Sequence, residues 1–137
     1  GAARLGASAH VVAHERVTRR AALEALKGAD LLVTVASIQE EAELPERGSV
    51  AAKVFDCMAL ERPALVVAPR GADVRAIAET AGGMRCFTGA EIEGMAGYIE
   101  EVAQGRRPPS RDPRAYRWDS LAKRLDLVLR EAIKRGS

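Results

Sequence analysis

Aromatic residues are scarce in this chain: Phe, Tyr and Trp together make up 4% of its 137 residues. That poverty argues against an aromatic-rich β fold, and the abundance of Ala, Val and Leu suits a tight α/β core. Cysteine is nearly absent too. Cys57 and Cys86 have neither metal-ligand nor redox spacing, so a disulfide scaffold is excluded and free, buried thiols in a cytosolic protein are expected. His10 and His14 are the two histidines; four residues apart, they could pair on a helix, but Val11 and Val12 between them favour a strand over a metal site. No apolar run approaches the roughly 18–20 residues of a membrane span, and no signal-like segment opens the chain. The expectation is a soluble, cytoplasmic protein. What the chain does have is 47% hydrophobic residues, enough for one domain with a real core.

The net charge of +2 creates no overall field demanding nucleic acid. Its distribution is uneven. Residues 105–137 hold ten Lys/Arg against four Asp/Glu, whereas residues 1–104 hold eleven against fifteen. The basic end (Arg106, Arg107, Arg111, Arg114, Arg117, Lys123, Arg124) reads either as a solvated helix face and linker or as a peripheral contact for an anionic membrane surface or phosphorylated acceptor.

Strand-like and helix-like segments alternate along the chain. His10–Val17 reads as a strand carrying Val11 and Val12. Thr18 caps a helix over 19–28, stopped by Gly28, and residues 31–36 form a continuous apolar run like a parallel strand covered on both faces. A glutamate-rich loop, Ser37 to Gly48, follows; long loops at the carboxyl ends of parallel strands usually carry function. Ser49 caps a helix over 50–60 whose Val50, Val54, Phe55 and Met58 face the core, and Pro63 opens a strand over 64–68. Asp73 caps a helix ending at Gly82-Gly83, a strand spans 84–87, and a helix covers about 90–104. Residues 105–118 form a linker through Pro108-Pro109. Asp119 caps a closing helix over 119–135 with an apolar stripe of Leu121, Leu125, Val128, Leu129 and Ile133. The alternation predicts a single parallel-sheet α/β domain over 1–137.

The most informative stretch is Ala52-Lys53-Val54-Phe55-Asp56-Cys57-Met58-Ala59, followed by Glu61-Arg62-Pro63 and Ala64-Leu65-Val66-Val67. Lys53 and Asp56, three apart on one helix face, can address one ligand. A helix N-terminus attracts anions through its unpaired N–H groups. The macrodipole disfavours a lysine in that first turn, and a bound phosphate would reverse the penalty. The plainer alternative is a surface ion pair between Lys53 and Asp56.

The string resembles the nucleotide-sugar-binding segment of GT-B glycosyltransferases of the retaining family-four type, many of which run Ser-x-x-x-Lys-Leu-Phe-Glu-Tyr-Met-Ala-x-Gly-x-Pro-Val. Ser49, Lys53, Val54, Phe55, Asp56, Met58, Ala59 and Pro63 fall in register with it. Ahead of it, Ala22-Leu23, Ala25-Leu26 and Ala29-Asp30-Leu31-Leu32-Val33 resemble the family's preceding helix and strand. Behind it, Val74-Arg75-Ala76-Ile77-Ala78-Glu79 with Ala81-Gly82, and Tyr116 with Trp118-Asp119 and Leu121, resemble its closing helices. The resemblance implies a Rossmann-like fold, the C-terminal half of a GT-B enzyme apparently lacking its first strands. It implies that Asp56 accepts hydrogen bonds from a ribose, one methylene shorter than the family's glutamate. Ser49, Lys53 and the backbone of Val50 and its neighbours would sit near the donor diphosphate, where positive charge stabilises the departing nucleotide. Glu15, Arg16 and Val17 would frame the base.

Two departures accompany the likeness. Eight residues before Asp56 the family pattern has an acid, and this chain has Gly48, with Glu46 two positions off. The opening strand and Gly-rich loop, with the Arg and Lys that follow them, have no counterpart. The expectation is therefore a donor-binding part of a larger or split glycosyltransferase. It has no catalytic residue of its own and neither metal nor cofactor. Its partners are a nucleotide diphosphate sugar and an acceptor-binding domain or subunit, and no nucleic acid. The competing expectation is a non-enzymatic nucleotide-binding or assembly subunit with the same sheet.

Overall fold

The computed structural model describes residues 6, 8–43, 52–109 and 113–136. Among the described residues, three parallel strands form one sheet with helices on both faces, a mixed α/β architecture compatible with a Rossmann-like fold. The helices are α1 (Arg19–Lys27), α2 (Ala52–Leu60), α3 (Asp73–Ala81), α4 (Ile92–Ala103) and α5 (Trp118–Arg135). The strands are β1 (Leu32–Val35), β2 (Ala64–Val67) and β3 (Met84–Phe87), adjacent in the order β1-β2-β3. The register is in step throughout: Leu32 pairs with Ala64 and Ala64 with Met84, ending at Val35, Val67 and Phe87.

Side chains alternate across a strand, so the sheet has two distinct faces. On one, Leu32, Ala64, Val66 and Met84 pack with Val54, Cys57 and Met58 of α2 and Val74, Ala78 and Ala81 of α3. On the other, Leu65, Val67 and Phe87 pack with Tyr98 and Val102 of α4, with Leu31 and Met95 at the margin. β2 is buried along its whole length, which explains its unbroken apolar sequence. β1 is not: Leu32 and Thr34 are buried, while Val33 and Val35 on the α4 face remain 61% and 55% exposed.

The carboxyl ends of the strands are tied together. The segment after β1 runs beside the exit of β2, with Ala42 N–H donating to the Arg70 carbonyl and Arg70 N–H to that of Glu40. Glu91 accepts a hydrogen bond from Thr88 N–H at 2.6 Å, and Arg75 donates through Nε to the Ala68 carbonyl at 3.1 Å. Gly89 lies so close to the Ile38 carbonyl that a Cβ there would run into it.

Several expectations need correction. His10–Val17 forms no strand; residues 8–10 make a 3-10 turn, and 11–18 run exposed and irregular into α1. Two adjacent valines confer strand propensity, but with no neighbouring strand to pair among the described residues, that propensity has nothing to act on. Asp73 and Asp119 do not cap their helices. Ala72 and Arg117 occupy the caps, neither making a side-chain cap bond, and both aspartates sit inside the first turn, where a negative charge suits the helix dipole. Phe55 turns away from the core, 37% exposed, and meets Tyr116 with ring centroids 6.2 Å apart; Cys57 takes the buried position instead. Both cysteines are free, Cys57 buried and Cys86 partly so. No helix of the described residues is long and apolar enough to cross a membrane.

Candidate functional site

α1 lies beside α2, which covers one face of the sheet, and the groove between them holds the residues singled out on α2. Thr18 sets the start of α1, its hydroxyl accepting from Ala21 N–H at 3.3 Å. That cap places Arg19 in the first turn, from which its Nη2 donates to Asp56 Oδ1 at 2.8 Å. The surface pair expected between Lys53 and Asp56 is thus not formed. Asp56 is held by an arginine from another helix, and Lys53 has no partner among the described residues. The Arg19–Asp56 pair is exposed on the Arg19 side, 78% against 32% for Asp56, so screening limits it to about 0–1 kcal/mol of stability. A competing anion or hydroxyl can displace it at little cost.

A cavity of about 200 Å³ opens between α1, α2 and β1, lined on its polar side by Arg19, Thr34, Lys53 and Asp56 and on its apolar side by residues including Leu23, Leu26 and Leu32. Its most telling wall is Thr34. This residue is 5% exposed, and its hydroxyl has no hydrogen-bond partner among the described residues. A buried, unpaired hydroxyl is costly unless something outside the chain completes it. A wider hollow of about 550 Å³ adjoins, lined by Arg19, Arg20, Leu23, Glu24, Lys27, Asp56, Ala59 and Leu60. Arg19, Leu23 and Asp56 line both, so the ion pair stands where the two meet.

Cations therefore flank a carboxylate and a hydroxyl around an open groove, a set suited to an anion that also carries hydroxyl groups. The neighbouring thiol is not poised to react: burial, then the nearby Asp56 carboxylate, pushes Cys57 up from its ordinary range. Among the described residues no group of three or more His, Cys, Asp or Glu is placed to hold a metal ion.

Of the site residues expected from the sequence, Lys53 and Asp56 both line the smaller hollow. Arg16 and Val17 do not join them; they lie exposed in the irregular segment ahead of α1 and line neither hollow. Ser49 and Val50 lie outside the described residues, as do Glu46 and Gly48. Two contributors went unnoticed in the sequence. Arg19 follows directly on the cap Thr18, and Thr34 is the lone hydroxyl in an otherwise apolar run, the feature that could have marked it. No family model matches the chain, and no curated protein and no solved structure matches it.

Proposed function

We propose that this chain is the donor nucleotide-sugar-binding part of a GT-B-type glycosyltransferase, with the acceptor held by a separate domain or subunit. In this reading Lys53, aided by Arg19, grips the diphosphate. Asp56 accepts hydrogen bonds from the ribose hydroxyls, and the Thr34 hydroxyl completes its valence on the bound donor. The role of the chain is to hold the leaving nucleotide rather than to supply an acid, base or nucleophile.

The observation that carries the reading is the convergence of Lys53 and Asp56 on one groove floored by an unpaired buried hydroxyl. A second feature supports the register of the resemblance. The glycine of the family pattern falls on Glu61, and Glu61 has φ 51°, the left-handed conformation that glycine takes just past a helix end. A parallel sheet also suits a ligand near the carboxyl ends of its strands.

Thermal unfolding titrated with UDP, GDP, ADP and their sugar conjugates tests the reading. At least one should raise the melting temperature in a saturable way, and Lys53→Ala and Asp56→Ala should each abolish the shift while remaining folded. A folded wild-type protein indifferent to millimolar concentrations of all of them would refute it.

A further inference from the structure

Two apolar surfaces lack a cover among the described residues, and they differ in charge. The first is the α4 side of the sheet. One helix overlies β2 and β3 there, leaving Val33 and Val35 of β1 bare. Ile92 and Ile99 of α4, seven residues apart and hence on one helix flank, are 63% and 47% exposed. Of the glutamates around them, Glu101 is paired with Arg85 at 3.2 Å and Glu91 with Arg75 at 3.8 Å, so the acidic charge left on α4 is that of Glu93 and Glu100. Glu93 and Glu100 have no partner among the described residues.

The second surface is α5. Leu125, Val128, Leu129 and Ile133 recur at helical spacing and are 52–70% exposed, and the helix has no buried residue. An 18-residue helix with an unpacked stripe gains little from propensity alone and needs a partner. Its charge is opposite to that of α4. Lys123, Arg124, Arg130, Lys134 and Arg135 outnumber Asp119, Asp126 and Glu131, and among the described residues only Arg130 is neutralised, by Asp126 at 2.8 Å.

α5 does not cover the bare surface of its own chain. Tyr116, two residues ahead of it, packs into the cluster beneath α2 and against Phe55, on the opposite side of the sheet. The helix therefore departs from the wrong face, and reaching the other would require Tyr116 to release. We propose that two copies of the chain exchange their α5 helices. Each lays the Leu125–Leu129–Ile133 stripe over Val33, Val35, Ile92 and Ile99 of the other, with Lys123, Arg124 and Lys134 meeting the acidic flank of α4. The exchange is reciprocal, so two identical contacts close a two-fold dimer.

Sedimentation and light scattering on the full chain test this with two variants altered only at exposed positions. The face variant carries Val33→Glu and Val35→Glu, and the helix variant Leu125→Glu and Leu129→Glu. Wild type should be a dimer whose dissociation constant rises at least tenfold between 50 and 500 mM NaCl. Each variant alone should be monomeric with an unchanged circular dichroism spectrum. An equimolar mixture of the two should form mixed dimers, because one of the two contacts is intact in that pairing. A monomeric wild type at 200 μM would overturn the proposal, pointing to a different occupant for both surfaces. So would a face variant that remains dimeric, the signature of α5 pairing with α5, or a mixture that stays monomeric at 200 μM.

Discussion

Replacing Thr34 by valine should make the protein more stable and a poorer binder at once. The two side chains share shape and β-branching, so the strand and its packing against α2 are kept, and the change reduces to loss of one hydroxyl. That hydroxyl is buried and unpaired in the free protein. Removing its desolvation penalty should contribute roughly 1–2 kcal/mol of stability. For a chain of 137 residues this corresponds to an increase of about 4–7 °C in melting temperature. If the hydroxyl pairs with the bound donor, the same substitution forfeits a hydrogen bond worth about 1–1.5 kcal/mol, a roughly 5- to 12-fold weaker affinity. Differential scanning fluorimetry with and without the stabilising nucleotide reads both effects from one experiment. A Thr34→Val protein that melts earlier, or that binds nucleotide as tightly as wild type, refutes the assignment of Thr34 to the ligand.

Further expectations follow from the backbone and from one carboxylate. Glu61→Gly relieves a left-handed residue, about 1–2 kcal/mol, against about 0.4–1 kcal/mol of added unfolded-chain entropy, so the denaturation midpoint should rise. Gly89→Ala drives a methyl into the Ile38 carbonyl and should cost about 2 kcal/mol or more, with hydrogen exchange accelerating at Ala42 and Arg70, whose amides tie the neighbouring loops. The Glu91 carboxyl is held below the usual carboxylate range, first by the Thr88 N–H that donates to it. A depressed folded value gives stability that is full above the unfolded value near ~4.3 and is lost as pH falls through the folded one. Urea melts from pH 6 down to pH 3 should therefore show a shallower acid loss for Glu91→Gln than for wild type.

The middle of the chain was legible because its signals are local. Pro63 opens β2, Gly82 with φ 70° ends α3, and the apolar runs at 32–35 and 64–67 have the length of buried parallel strands. The errors lie where a local signal needed a distant partner. Val11 and Val12 read as strand yet have no sheet neighbour among the described residues, and Phe55 reads as core but meets Tyr116, 61 positions away in sequence. Asp73 and Asp119 are good capping residues that lie one and two positions past the caps Ala72 and Arg117, a shift that periodicity cannot resolve. At the candidate site, the shared face of Lys53 and Asp56 followed from helical spacing. The Arg19–Asp56 pair did not, because it depends on how two helices lie together. The stripe on α5 was evident from its period, but no period reveals that Tyr116 anchors the helix on one side of the sheet.

Because each strand neighbours the next one in the chain, the order of assembly is constrained by entropy. The crossover 68–83 is shorter than the crossover 36–63, so joining β2 to β3 sacrifices less chain freedom than joining β1 to β2. The unit from Ala64 to Phe87 should form first and template the rest. Trimming Val66 should therefore slow folding, whereas trimming Leu32 should mainly hasten unfolding, a contrast that stopped-flow chevrons would register.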